Sequence, residues 1–353
     1  MKKRLLSLLM LLVLLCTMVV PAFAAYTPGS IAGTSWYGQY TGWQNNESNL
    51  VQRYMNMTIN KCDANGNLSG VAKVTTVEGQ NTDMVWVNYN FKGTFNFSTG
   101  AFTMKGTSII SQSSSNQNWT LSEFRGTLSG NNISGFVGGN TRTFSFGLVS
   151  EWAKDEIIDA DFYGLIPETL QGKDLSKPVT RAEFSAIAVQ LYETLTGQET
   201  YAYGSPFYDI YGHIDRESIE KAYALNITVG VDATHFAPDS KITREQLATM
   251  LCRAIKKYKF EDWTYATDDQ YYLDTTGVKK YLDDADIYDY AKPSVYFMTK
   301  MGIIKGINPE GTLFGPKAVT PEQVAIGYAT ATREQALVMS LRVYNLSEFL
   351  MDH

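Results

Sequence analysis

The sequence contains few cysteines and few histidines, three of each among 353 residues. Cys16 lies in an N-terminal apolar segment, and Cys62 and Cys252 lie in regions that we interpret as different domains, so a disulfide framework is not indicated. No histidine occurs between residues 26 and 149, which excludes a Ser-His-Asp triad within that region. No metal-ligand cluster is visible there, and we predict no catalytic residue, metal or cofactor for the chain.

Basic residues are also in the minority, with 30 Lys and Arg against 36 Asp and Glu. Three of the basic residues precede residue 25, so the rest of the chain has 27 basic against 36 acidic residues, a net charge of −9. Residues 25–150 carry +2, and residues 151–353 carry −11. An acidic half of this kind argues against nucleic acid as the partner. Any anion site in it must be built from individual arginines.

The first 24 residues have the pattern of a signal peptide. Met1-Lys2-Lys3-Arg4 is a basic start, residues 5–20 are apolar, and Ala22-Phe23-Ala24 is a small-residue cleavage motif. We therefore predict a secreted protein, with no membrane span once the signal is cleaved, because no later stretch is apolar enough to cross a bilayer.

Residues 25–149 are predicted to form an all-β domain. Apolar residues alternate with polar ones at Met55, Met57 and Ile59, and Gly- and Asn-rich turns separate such runs. The pattern predicts about eight strands, near 33–43, 51–60, 68–77, 83–97, 101–110, 119–129, 133–138 and 141–148. Short loops make the domain an antiparallel meander, and hence a small barrel or a sandwich.

Three tryptophans of this domain, Trp36, Trp43 and Trp119, are of the type that stacks on sugar rings. The alternative, that each fills the barrel core or caps its mouth, is favoured for any single one.

The second half repeats a short phrase before apolar helical runs: Thr180-Arg181-Ala182-Glu183, Thr243-Arg244-Glu245-Gln246 and Thr332-Arg333-Glu334-Gln335. Threonine followed three residues later by Glu or Gln is a capping box. The arginine opposes the helix macrodipole, at a cost of about 0.3–1 kcal/mol, whereas the bare amides of a helix N-terminus favour an anion. Each arginine therefore indicates either an anion-binding corner or an ion pair with a neighbouring acid. We favour the corner because the arginine recurs three times.

Each phrase belongs to a unit that consists of a helix, a Gly-punctuated loop and a capped second helix. Gly164, Asn226 and Gly302 stand where the first helix should end in a left-handed residue. A unit of this size cannot bury its apolar faces alone, so several units must pack together.

These units resemble three tandem S-layer homology domains, the wall-anchoring modules of bacterial cell-surface proteins. The resemblance covers about residues 150–350 and rests on Phe207-Tyr208-Asp209, Phe236-Ala237-Pro238, the Gly-Ile-Ile-Lys-Gly loop at 302–306 and the three caps. It implies units at 150–200, 201–262 and 263–353, packed as an all-α pseudo-threefold bundle. It also implies grooves that bind an acidic, pyruvylated secondary cell-wall polysaccharide.

By position, the resemblance places polysaccharide contacts at six residues: Arg181, Arg244, Arg333, Asp209, Asp283 and Trp152. Unit one departs from the pattern, because Leu148-Val149-Ser150 stands where Phe-x-Asp is expected. Unit three has an additional cap-like segment at 320–323 in which Pro321 replaces arginine. We expect that segment to be structural only, which leaves the position of Arg333 relative to the pattern open.

The sequence thus predicts a non-catalytic, multi-domain protein that is secreted, held at the cell wall or S-layer surface by its second half, and displays the β domain. The alternative is a surface-tethered hydrolase with its activity in the β domain, and the few titratable residues of that domain count against it. Two further readings are a β domain that binds a glycan or protein ligand, and a structural S-layer subunit.

Overall fold

The computed structural model describes residues 26–44, 49–77, 84–113, 119–139, 141–306, 311–313 and 330–347. The predicted signal peptide, the cap-like segment at 320–323 and the turn that begins at Phe314 lie outside the described residues.

The N-terminal domain is a closed antiparallel barrel of eight strands. Each strand pairs with the next along the chain, and β8 closes the barrel against β1. The strands are β1 Thr34–Gln44, β2 Asn49–Cys62, β3 Asn67–Val77, β4 Met84–Phe95, β5 Ala101–Gln112, β6 Glu123–Ser129, β7 Asn132–Val137 and β8 Arg142–Val149. A short helix, α1 Pro28–Ile31, precedes β1. The predicted meander is confirmed, and it forms the barrel rather than the sandwich.

Apolar side chains fill the barrel interior. Met55, Met57 and Ile59 are buried, as their alternation predicts. The ring of Phe124 meets the rings of Phe144 and Tyr40 edge-on, at centroid distances of 5.3 and 5.1 Å. The barrel therefore has a packed core, and among the residues described at its mouth the cavity measures only about 10 Å³.

The second half is helical. Its α-helices are α2 Lys154–Phe162, α3 Arg181–Thr196, α4 Arg216–Ala224, α5 Arg244–Lys259, α6 Lys292–Lys300 and α7 Arg333–Asn345. Short 3-10 helices occur at Glu168–Leu170, Tyr265–Gln270 and Asp284–Asp286. No helix in the described ranges combines the length and the hydropathy needed to cross a membrane.

The left-handed residues predicted after the first helix of each unit are confirmed. Gly164, Asn226 and Gly302 have φ values of 72°, 62° and 71° and follow α2, α4 and α6. Each lets the chain reverse toward the capped helix that comes next.

The segments that lead into α3, α5 and α7 meet in a cycle of backbone hydrogen bonds. The amide of Val179 donates to the carbonyl of Ala331 at 2.9 Å, Ala331 donates to Ile242 at 2.9 Å, and Ile242 donates to Val179 at 3.2 Å. All three residues are fully buried. The segments that lead into the three capped helices are therefore joined to one another in one closed cycle.

The barrel packs directly on the helices through β1, β2 and α2. The side chain of Ser35 donates to Glu151 at 2.6 Å, and the Tyr37 hydroxyl donates to Asp161 of α2. The backbone of β8 also approaches the 171–175 loop so closely that a Cβ on Gly147 would lie 1.8 Å from the carbonyl oxygen of Lys173. The last strand of the barrel thus occupies the start of the first helical unit, where the Phe-x-Asp segment is missing.

Candidate anion-binding grooves

The three repeated phrases form capping boxes at α3, α5 and α7, as predicted. In each, the threonine hydroxyl accepts the N3 backbone N–H, and the N3 side chain accepts the N–H of the threonine. The box fixes the backbone of the first turn, so the arginine at N1 leaves each helix in the same direction. Arg181, Arg244 and Arg333 all extend toward the segment that precedes the next capped helix in the cycle.

Arg181 of α3 contacts the loop before α5 through backbone carbonyls. Its Nε donates to the carbonyl of Phe236 and its Nη2 to that of Val229, both at 2.8 Å. The guanidinium also lies 4.6 Å from the centroid of the Phe236 ring. Burial lowers the pKa of Arg181. In the described part of the chain it forms no ion pair, and the more distant charge of Asp209 opposes the shift only in part.

Arg244 of α5 has the same relation to the loop that follows α6. Its Nη2 donates to the carbonyl of Lys305 at 3.0 Å, and the residue is only 5% exposed. Its Nε has no hydrogen-bond partner among the described residues. Burial lowers the pKa of Arg244 to about 10, which still leaves it charged at neutral pH.

Arg333 of α7 differs from the other two. Its Nε and Nη2 donate to the two carboxylate oxygens of Glu183 at 2.9 and 2.7 Å, and its Nη1 donates to the carbonyl of Asp174 at 2.7 Å. Lys173 also contacts Glu183 at 3.1 Å. The geometry at Arg333 is thus the ion pair with a neighbouring acid, one of the two interpretations that the sequence leaves open.

The backbone amides of the first turn do not supply an anion site at α3 and α7. The amides of Arg181 and Ala182 donate to the carbonyls of Ser240 and Pro238, at 2.9 and 3.1 Å. In α7 the amides of Arg333 and Glu334 donate in the same way, to residues 177 and 175. The expectation that bare amides attract the anion is wrong for these two helices, because neighbouring backbone satisfies the amides. Any attraction there comes from the guanidinium groups.

A second arginine, which the sequence analysis did not identify, accompanies Arg181. Arg253 of α5 donates through Nη1 to the carbonyl of Ile227 at 3.4 Å and lies 4.6 Å from the Tyr265 ring centroid. Its Nε has no partner among the described residues. Burial lowers the pKa of both arginines, and the charge of Arg253 lowers that of Arg181 further. Two cations therefore lie close together without a carboxylate paired to either in the described part of the chain.

Arg342 of α7 follows Arg333 by nine residues, as Arg253 follows Arg244, but its charge is paired with a carboxylate. Arg342 donates through Nη1 to the carbonyl of Ile303 at 3.1 Å, as Arg253 does to Ile227. It also forms a two-point ion pair with Glu156 of α2, at 3.0 and 3.3 Å. No periodic motif distinguishes Arg253 from Arg342 in the sequence, and only the tertiary contacts separate the paired arginine from the unpaired one.

Asp209 and Asp283, predicted as groove acids, hold backbone amides. The two carboxylate oxygens of Asp209 accept the amides of Phe236 and Ala237, at 2.8 and 2.7 Å. Asp283 accepts the amide of Leu313 at 2.8 Å. Ala237 has a positive φ of 59°, so Asp209 stabilises a strained turn. Leu313 thus makes with Asp283 the contact that Phe236 makes with Asp209.

Aromatic side chains border the first turns of the capped helices. Trp152 is 52% exposed, and Tyr290 occupies the equivalent position before α6 with 55% exposure. Glu334 accepts the amide of Ser150 at 2.9 Å, just as Glu245 accepts the amide of Tyr288. Burial raises the pKa of Glu334, while hydrogen bonds from Ser150 and Trp152 oppose the shift. These contacts place an exposed ring beside the first turns of α5 and α7.

Of the barrel tryptophans that could stack on sugar rings, the two whose side chains the structure describes are less exposed than Trp152. Trp36 is buried and donates its Nε1 to Thr34 at 2.8 Å, so it fills the core as favoured. Trp119 is partly buried and lies 5.3 Å from the guanidinium of Arg53 at the barrel mouth. Trp43 has a side chain outside the described set.

The fold and these grooves define a modular protein, in which a β barrel is joined to helices that repeat one capped, arginine-bearing first turn. Residues 206–248 match the family model of the S-layer homology domain. This part of the chain, from the Phe-x-Asp segment through the first turn of α5, is an S-layer homology domain. The match implies attachment at the cell surface.

Three curated proteins are similar to part of the chain. Exoglucanase XynX of Acetivibrio thermocellus is 31% identical over 190 residues, which cover 53% of this chain and 16% of that protein. An amylopullulanase of Thermoanaerobacterium thermosulfurigenes is 32% identical over 181 residues, which cover 50% of this chain and 9% of that protein. An endoglucanase of Bacillus sp. (strain KSM-635) is 26% identical over 133 residues, which cover 36% of this chain and 14% of that protein. The chain spans less than a fifth of the length of each relative.

Proposed function

We propose that the protein is secreted and held non-covalently at the bacterial cell wall by three S-layer homology units that bind an acidic secondary polysaccharide. The matched domain at 206–248 supports the middle unit. The equivalent caps at α3 and α7 and the hydrogen-bond cycle among Val179, Ile242 and Ala331 support two further units of the same construction.

The observation that carries the proposal is the pair of arginines at the groove between α3 and α5. Arg181 and Arg253 are largely buried, repel each other, and pair with no carboxylate in the described part of the chain. Such a pair is stabilised when a ligand supplies the missing negative charge. A guanidinium binds a carboxylate through two parallel hydrogen bonds, so a pyruvylated sugar is the ligand that we propose for this groove.

Among the predicted contacts, Arg181, Arg244 and Trp152 fit this function best. Trp152 offers an exposed ring. Arg244 is only 5% exposed and its Nε, unpartnered among the described residues, is buried, so it contributes its positive charge to the groove rather than a direct hydrogen bond. Arg333 is neutralised by Glu183, and Asp209 and Asp283 hold loop amides. We propose that these three shape the grooves and contact the polysaccharide less directly.

Co-sedimentation of the chain with purified cell walls tests the proposal. Arg181→Gln and Arg253→Gln should each weaken binding roughly tenfold, since a charged hydrogen bond contributes about 1.5–3 kcal/mol. Arg216→Gln is the matched control, because Arg216 lies in the same unit but pairs with Glu220 at 3.0 Å. Mild acid treatment of the walls, which removes pyruvyl groups, should reproduce the loss in the wild-type chain. Equal retention of all variants on the walls would contradict the proposal.

A surface-tethered hydrolase remains the second candidate, and the printed names of the three relatives are the observation that favours it. Their similarity covers only a small part of each of those enzymes, so it does not locate an activity in this chain. Release of reducing sugar from xylan, cellulose or pullulan by the full chain would support this candidate.

A further inference from the structure

A cleft of about 620 Å³ lies between the end of α5 and the start of α6, away from the arginine grooves. Its volume is within the range of small-ligand sites, about 300–1,000 Å³. None of the six residues predicted to contact the wall polysaccharide lines it.

One wall of the cleft comes from the segment after α5. The nearly buried Lys256 donates to Oδ1 of Asp268 at 2.6 Å, and the same oxygen accepts Nε1 of Trp263 at 2.9 Å. These contacts fix the 3-10 helix at Tyr265–Gln270. The chain then presents Tyr271, whose ring packs on Phe260 at 4.9 Å, and Tyr272, which is 93% exposed.

The opposite wall comes from the residues that lead into α6. The Tyr296 hydroxyl donates to Asp284 Oδ1 at 2.5 Å, and the Tyr296 ring stacks on Tyr281 at 5.9 Å. Lys280 and Lys292 both contact Oδ2 of Asp284, at 3.4 and 3.8 Å. The polar groups of this wall are therefore held in place before any ligand arrives.

The charges of the lining decide which ligand fits. Each of the three lysines has a carboxylate partner, since Lys292 also contacts Asp289 at 3.0 Å. The four aspartates of the lining exceed the three lysines by one. The cleft therefore lacks the uncompensated positive charge that distinguishes the groove of Arg181 and Arg253, and it does not favour an acidic polymer.

We propose that this cleft binds a neutral oligosaccharide, as a site distinct from the wall-anchoring grooves. Sugar hydroxyls both donate to carboxylates and accept from ammonium groups, so ordered Lys–Asp pairs suit them. The exposed ring of Tyr272 offers a flat apolar surface for the C–H face of a sugar. Asp269 lines the cleft, is exposed, and takes part in none of the ion pairs of the described residues.

Calorimetric titration of the full chain with maltotriose, cellotriose and N,N′,N″-triacetylchitotriose tests this site. At least one of these neutral trisaccharides should bind, at concentrations up to about 10 mM that still detect a millimolar site. Tyr272→Ala should weaken that binding tenfold or more, which corresponds to about 1.4 kcal/mol. Asp269→Asn, a change to an exposed side chain, should weaken it as well.

Tyr203→Ala is the matched control, because Tyr203 is 83% exposed and lies outside the cleft. The proposal is overturned if no trisaccharide binds, or if Tyr203→Ala and Tyr272→Ala have equal effects. Binding of oligolysine to the cleft in place of the sugars would also overturn it. Arg181→Gln should leave trisaccharide binding unchanged, and Tyr272→Ala should leave wall binding unchanged, so failure of either site is distinguished from failure of the other.

Discussion

Arg333 and Glu183 form a two-point ion pair that joins the first turn of α7 to the first turn of α3. Glu183 is 4% exposed and also closes the capping box of α3. At the same N3 position α5 and α7 carry Gln246 and Gln335, which cap equally well without a charge. Of these three N3 side chains, Glu183 alone carries a charge, and the arginine that contacts it, Arg333, is neutralised within the protein.

We expect this pair to contribute to the stability of the helical half. Removing Glu183 leaves the largely buried Arg333 without a carboxylate, so Glu183→Gln should destabilise the fold by roughly 3 kcal/mol. Arg333→Gln leaves Glu183 paired with Lys173 alone and should destabilise it less. A double-mutant cycle measured by urea unfolding should give a coupling of about 1–3 kcal/mol. Additive single effects would show that the pair contributes nothing beyond its separate parts.

The choice between Glu and Gln should also control anion binding. Gln246→Glu keeps the capping box of α5 but adds a carboxylate at the N3 position that corresponds to Glu183. We expect it to neutralise Arg181 and to weaken binding to purified walls roughly tenfold. Gln335→Glu should have the same effect on Arg244. Unchanged wall binding in a folded Gln246→Glu variant would mean that Arg181 does not hold the polymer.

The junction between barrel and helices should depend on pH through Asp161. Its carboxylate accepts hydrogen bonds from Tyr37, Gln39 and Gln171, yet burial raises its pKa to about 7. The folded state therefore favours the protonated carboxyl. The resulting contribution to the free energy of unfolding is fully present below about pH 4 and is lost as the pH rises to about 7. The Tyr37 hydroxyl can turn from donor to acceptor and so accommodate the added proton.

Asp161→Asn imitates the protonated carboxyl and should remove this pH dependence. At pH 8 the variant should be more stable than the wild type by roughly 2–4 kcal/mol, whereas at pH 4 the two should be equal. Thermal unfolding at both pH values checks the expectation. Asp155→Asn is the control, because the Asp155 side chain is 68% exposed. Destabilisation by Asp161→Asn at pH 8 would show that the hydrogen bonds outweigh burial.

Local features of the fold were predictable from the sequence. Thr180, Thr243 and Thr332 cap their helices because a capping box needs only residues three positions apart. The eight strands were also predictable, because alternation and turn residues are local signals in the sequence. Closure of the barrel was not predictable, because it depends on the pairing of β1 with β8 across the whole domain.

The partners of charged side chains depend on contacts between distant segments, and the sequence did not reveal them. Arg333 and Glu183 are 150 positions apart, and Glu183 belongs to a capping box that already explains its presence. Arg253 stands within a helix without any motif, and only its contacts with Ile227 and Tyr265 show that it accompanies Arg181.

Cys62 and Cys252 should differ in reactivity. Cys252 is buried, and burial raises the pKa of its thiol to about 12. Cys62 is partly exposed, and burial together with the neighbouring Asp63 raises its pKa less far. Because the thiolate is the reactive form, iodoacetamide should label Cys62 in the native chain at pH 8 and label Cys252 only after denaturation. Peptide mass spectrometry measures both sites, and fast native labelling of Cys252 would contradict its buried position.

The left-handed residues after α2, α4 and α6 should be sensitive to substitution for conformational reasons alone. A Cβ on Gly302 would meet nothing within 4 Å, so Gly302→Ala introduces no clash. Its φ of 71° nevertheless disfavours a side chain, and the variant should lose about 1–2 kcal/mol in urea unfolding. Asn226→Gly should gain a few tenths of a kcal/mol, because Asn tolerates this conformation less well than Gly. Gly29→Ala, equally free of contacts but without a positive φ, should not destabilise the protein, and a loss at Gly29 equal to that at Gly302 would show that the positive φ is not the cause.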